Sequence, residues 1–118
     1  MKMRAWDVDE KFWIPPIDCA VNFNGNLLTY DTNADRWALE TINYKLSRST
    51  GLKDKNGKEI FEGDIFSDED GTFQVWWNEK VGVWAISDSD GIAEWLSDYA
   101  ESYEIIGNIY ENPELLTQ

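Results

Sequence analysis

The chain has 118 residues, with 23 acidic and 10 basic side chains, no histidine and a net charge of -13. That charge argues against unaided binding to nucleic acid, which needs Lys and Arg to displace counterions from phosphates, and the lack of histidine removes the commonest general base and imidazole metal ligand. One cysteine, Cys19, rules out an intrachain disulfide and suits a reducing, cytoplasmic compartment, and no apolar run approaches the ~20 residues of a membrane span.

Read in chain order, short segments alternate apolar and polar residues with turn signals between them, the pattern of antiparallel strands. Trp6 sits in an opening strand as a core residue. Val21-Asn22-Phe23 and Asn26-Leu27-Leu28-Thr29-Tyr30 flank Asn24-Gly25, which predicts a tight hairpin turn. Ile42, Tyr44 and Leu46 alternate with polar residues as one face of a strand that pairs with the N-terminal ones. Asn56-Gly57 and Glu62-Gly63 follow so closely that only a very short strand pair fits between Gly51 and Ile65. After the acidic turn Asp68-Glu69-Asp70-Gly71, Phe73, Val75 and Trp77 share one strand face and Gln74, Trp76 and Asn78 the other; Asn78 to Gly82 turns into Val83-Trp84-Ala85-Ile86, a Trp-rich hairpin.

Ile92, Trp95, Leu96, Tyr99 and Tyr103 follow a helical spacing, which predicts an amphipathic helix capped by Asp88 or Asp90, with Trp95 in the core. A last strand from Tyr103 to Tyr110 leads into Asn112-Pro113-Glu114, the opening of a short terminal helix with Asn112 as its cap. The fold class is therefore mainly β, β-rich α+β, in one domain spanning 1–118, with an N-terminal β segment at 1–50 and the remainder at 51–118.

Charge is unevenly spread. Nine basic and nine acidic residues precede Glu62, whereas from Glu62 onward Lys80 alone stands against fourteen acids. Such an excess keeps an aromatic-rich chain in solution, and it also forms a face that would steer a basic partner.

Three stretches carry a resemblance: Arg4-Ala5-Trp6-Asp7, the central run from Thr50 to Ile65 (Thr-Gly-Leu-Lys-Asp-Lys-Asn-Gly-Lys-Glu-Ile-Phe-Glu-Gly-Asp-Ile), and Ile106-Gly107-Asn108-Ile109-Tyr110-Glu111-Asn112-Pro113-Glu114-Leu115-Leu116. Together they resemble the YopX-like family of phage and prophage proteins, whose biochemical role is not established. The resemblance implies a mostly β architecture with an SH3-like barrel in the C-terminal part, and self-association. Ahead of the Thr-Gly, where that family has Gln and an aromatic, this chain has Arg48 and Ser49.

Catalytic signatures are missing from the sequence. Serine or cysteine nucleophiles that depend on histidine are excluded, and Asp18 beside Cys19 disfavours a thiolate. There is no phosphate-cradling glycine loop and no zinc ligand set. Asp68-Glu69-Asp70-Gly71 and Asp88-Ser89-Asp90-Gly91 resemble part of a calcium loop, but aligning either glycine puts Phe66 or Ile86 at the first ligand and Trp77 or Ser97 at the closing glutamate. Neither cofactor nor metal is expected.

The adjacent Trp76 and Trp77 point to opposite faces of their strand, so one lies on the outer face, covered internally or by a partner. The expected function is that of a non-enzymatic phage accessory protein binding a host or phage protein, with Asp68, Glu69, Asp70, Trp76, Trp77, Asp88 and Asp90 as candidate partner-binding residues. A DNA mimic is a special case of that reading. The alternatives are a carboxylate-based, metal-dependent enzyme and a structural homo-oligomer in a phage assembly.

Overall fold

The computed structural model describes residues 2–15, 19–22, 24–31, 33–39, 42–68, 71–88, 91 and 93–116. The architecture is mainly β, with antiparallel pairing in every sheet register. The chain divides into two compact units, Arg4–Leu46 and Met1–Met3 with Ser47–Gln118.

In the Arg4–Leu46 unit, β1 (Met3–Asp7) pairs with β2 (Phe12–Ile14), placing Trp6 opposite Trp13. Asp7 is a buried turn residue because its Oδ1 accepts from the N–H groups of Asp9 and Glu10, which fixes the connection between the two strands. Trp6 is buried as its sequence position implies, its ring edge-on to Trp13 at 5.0 Å, with the Arg4 guanidinium 4.1 Å from the Trp13 ring centre.

Three further strands, β3 (Cys19–Val21), β4 (Leu27–Asp31) and β5 (Arg36–Leu39), form a second sheet in sequence order. The hairpin between β3 and β4 forms, but its loop is longer than the tight turn expected around Asn24-Gly25. The cause is Asn22, whose side-chain oxygen accepts from both Asn24 N–H and Asn26 N–H, closing a five-residue loop. Ala5, Ile14 and Leu27 make the core of this unit, with Tyr44 and Leu46 packed on it. The Tyr44 hydroxyl accepts from Leu27 N–H at 3.0 Å, and Val8 N–H donates to Asn43 O, which ties the start of the next strand to the end of β1.

That strand, β6 (Tyr44–Lys53), enters the second unit at Ser47 and turns back into β7 (Glu59–Phe61). The same loop device recurs: Asp54 Oδ1 accepts from Asn56 N–H and Lys58 N–H around Asn56-Gly57. Next come β8 (Asp64–Asp68), β9 (Gly71–Asn78), β10 (Val83–Ser87), β11 (Ala93–Trp95) and β12 (Ile105–Asn108), in a five-stranded sheet of order β11-β10-β9-β8-β12. This sheet is a half-barrel, in the part of the chain where the family resemblance implies an SH3-like barrel. Its concave side holds Ile60, Phe66, Val75, Ile86, Leu96, Ala100 and Ile105.

The amphipathic helix expected over Ile92 to Tyr103 is not there. Ala93–Trp95 pairs with β10 instead, and two single turns of 3₁₀ helix follow, at Leu96–Asp98 and Ala100–Ser102. Gly91, at φ +80°, turns the chain so that its backbone groups meet the open edge of β10. A segment this short, with acids at Asp98, Glu101 and Glu104 and no nearby cation, has little to hold it as an isolated helix. Leu96 takes the core position and is fully buried, whereas Trp95 is 56% exposed, contrary to its assignment to the core. Ile92 and Asp90 lie outside the described residues, and Asp88 takes part in the turn through its backbone oxygen, which accepts from Gly91 N–H.

The terminal helix is likewise a single 3₁₀ turn, Pro113–Leu116. Asn112 opens it through its main-chain oxygen, which accepts from Leu115 N–H, while its side chain accepts from Asn108 N–H.

Arg48, one of the two residues that depart from the family pattern, is held in place by Glu62 and two tryptophans. Its Nε and Nη2 donate to the two Glu62 carboxylate oxygens at 3.2 and 3.1 Å, and its guanidinium lies 5.2 Å from the Trp84 ring centre and 5.7 Å from that of Trp77. A lysine cannot reproduce the two-pronged ion pair. Arg48→Lys should therefore lower stability by about 1 kcal/mol in urea denaturation, through the lost fork geometry rather than lost charge.

Candidate functional site

The half-barrel leaves a cavity of about 200 Å³ at the end of the sheet where β8 finishes, β10 finishes and β11 begins. Phe73, Ile86, Tyr99 and Tyr103 form its walls. The two tyrosines are near-parallel and stacked, 19° apart with ring centres separated by 6.1 Å. They are positioned by the 3₁₀ turns that replace the expected helix: Tyr99 N–H donates to Leu96 O and Ser102 N–H to Tyr99 O.

Three carboxylates line the same cavity: Asp68 from the end of β8, Asp88 just past β10 and Glu94 from β11. Glu94 faces Ile86 across the β10–β11 ladder, which aims it to the cavity side of the sheet. Asp68 Oδ1 accepts from Gly71 N–H at 3.0 Å, linking the end of β8 to the start of β9. Among the described residues there is no group of three or more His, Cys, Asp or Glu side chains close enough to hold a metal ion. The acids and the aromatic rings line one cavity without a metal-binding convergence of the carboxylates.

Of the residues singled out in the sequence, Asp68 and Asp88 meet at this cavity; Glu69, Asp70 and Asp90 lie outside the described residues. Trp76 and Trp77 are not part of it. Trp77 opposes Trp84 on the concave face, edge-on at 5.0 Å. Trp76 opposes Ala85 on the other face, and its indole N–H is buried with no hydrogen-bond partner among the described residues.

Sequence reasoning missed Glu94, Tyr99 and Tyr103 as site residues because a helical reading placed the tyrosines on a core stripe. A separate, larger depression is lined by Gly51, Lys53, Asp54, Lys55 and Glu101, among others. Its charges are mixed, and the carboxylate of Asp54 is already occupied by three backbone N–H groups.

The model of the YopX protein family matches residues 2–117, nearly the whole chain, and the chain belongs to that family. Among solved structures, it is similar to protein EF1440 from Enterococcus faecalis, with a TM-score of 0.63 and 28% identity over 98% of this chain and 96% of that one. No curated protein matches the chain. Among the described residues, no helix is long and apolar enough to cross a membrane.

Proposed function

We propose that this member of the YopX family is a non-enzymatic phage or prophage accessory protein that works in the cytoplasm of the host by binding a basic region of another protein. The observation that carries this reading is that Asp68 and Asp88, from two separate turns, line one aromatic-walled cavity together with Glu94. They belong to the stretch from Glu62 onward in which fourteen acids face a single lysine. Carboxylates in that number raise the encounter rate with a basic surface and fix which surfaces are accepted, more than they add raw affinity. The lack of histidine supports binding rather than catalysis as the task.

Affinity capture from host lysate over a series of salt concentrations tests this. A specific protein should be retained at low ionic strength and released progressively as salt shortens the reach of the acidic face, to about 3 Å at 1 M. Recovery of no protein at any salt concentration overturns the reading, and recovery only of further copies of this chain replaces it with a structural oligomer.

A further inference from the structure

We infer that the cavity walled by Tyr99 and Tyr103 is a receptor for one arginine side chain, presented by a basic segment of a partner protein. The inference deepens the protein-binding reading and rests on it for the source of the arginine, although the site's chemistry can be tested alone.

Size comes first. At about 200 Å³ the cavity is smaller than the ~300–1,000 Å³ usual for small-molecule sites, so it holds a side chain rather than a nucleotide or a drug-sized ligand. Its lining then selects the side chain. Tyr99 and Tyr103 stack on one another and both line the cavity, and the negative face of an aromatic ring attracts a cation and matches the plane of a guanidinium. Asp68 at the end of β8, Asp88 just past β10 and Glu94 in β11 reach the cavity from three places in the chain, so acceptors stand around it rather than converging on one point. Five fixed N–H donors radiating from a plane can use acceptors so spread, whereas an ammonium is a compact, strongly hydrated point charge. Phe73 and Ile86 complete a dry wall for the aliphatic stem. The same protein already holds an arginine this way internally, since Arg48 lies over Trp84 while Glu62 accepts from its guanidinium.

The experiment is a titration of the full chain, followed by two-dimensional amide NMR, with Nα-acetylarginine amide, its lysine counterpart and the citrulline counterpart, which keeps the shape and loses the charge. Arginine should move amides of Phe73, Ile86, Glu94 and Tyr99 saturably, lysine should bind more weakly, and citrulline should leave them in place. Glu94→Gln and Asp88→Asn keep side-chain size, and each should weaken arginine binding about threefold to fivefold, the worth of one partly exposed carboxylate. Equal shifts with citrulline, or shifts centred elsewhere, or none, overturn the site. Both variants should also capture less of the protein retained from lysate. If capture is unchanged while arginine binding falls, the arginine receptor is not the docking point and the broader reading stands; if arginine binds and no protein is captured, the site stands and the broader reading fails.

Discussion

Gly63→Ala should destabilise the second unit by about 3 kcal/mol, the combined cost of a left-handed non-glycine residue and of overpacking. Gly63 sits at φ +90°, and a Cβ there would stand 2.9 Å from Tyr110 Cε2 and 3.1 Å from Ile109 Cγ1. The backbone has little freedom to move away, because Gly63 N–H donates to Val75 O and Gly63 O accepts from Ile109 N–H, both at 2.9 Å. The next residue, Asp64, is buried and accepts from Phe61 N–H at 2.7 Å, so the turn is clamped on both sides. Gly57 provides the comparison: its φ is +82°, but nothing lies within 4 Å of a Cβ placed there. Gly57→Ala should therefore cost only the conformational share, about 1–2 kcal/mol. Urea denaturation of the two variants separates crowding from backbone strain. Equal losses would mean that the Tyr110 and Ile109 side chains give way freely.

How much of this was legible in the sequence depends on the range of the interactions involved. The β9–β10 hairpin follows from alternation alone, because Phe73, Val75 and Trp77 need a common face and Asn78 supplies the turn: its side chain accepts from Lys80 N–H and its backbone oxygen from Gly82 N–H. Loop lengths did not follow from the Asn-Gly pairs. In both Asn22 to Asn26 and Asp54 to Lys58, an Asx residue two places before the pair takes over the closure by accepting from the i+2 and i+4 amides. That is a readable signal, an Asx-x-Asn-Gly pattern, once its hydrogen bonding is considered. The region from Ala93 to Ser102 failed for a different reason. Its apolar spacing fits a helix, but the partner that decided the outcome, the edge of β10, is a tertiary feature that a local pattern does not contain. The candidate site depends on that same region, so two of its carboxylates were visible in advance and its aromatic wall was not.

Asp54→Ala should cost about 2–3 kcal/mol, because it leaves three backbone donors without their acceptor, one of them, Ile105 N–H, buried. The carboxylate is 5% exposed and joins parts of the chain distant in sequence: Oδ1 accepts from Asn56 N–H and Lys58 N–H at 2.9 Å, and Oδ2 from Ile105 N–H at 3.1 Å, 51 residues away. Lys55 N–H donating to Tyr103 O runs alongside, so the β6–β7 hairpin and the entry to β12 are fastened at one point. Burial alone pushes this carboxyl up, but the amides of Ile105, Lys58 and Asn56, with the charge of Lys58, outweigh it, and the pKa lies below the ordinary aspartate value. A group whose folded pKa is depressed contributes stability above its unfolded pKa and loses that contribution as pH falls through the folded value. The wild-type chain should thus weaken on acidification below about pH 4, the range in which an unfolded aspartate takes up its proton. Asp54→Asn keeps the shape but turns one acceptor into a donor facing Ile105 N–H, so it should be less stable at neutral pH and show a shallower loss between neutrality and acid. Denaturant midpoints measured at several pH values check both parts. Parallel curves for the two proteins would show that this carboxylate is not what links the hairpin to acid stability.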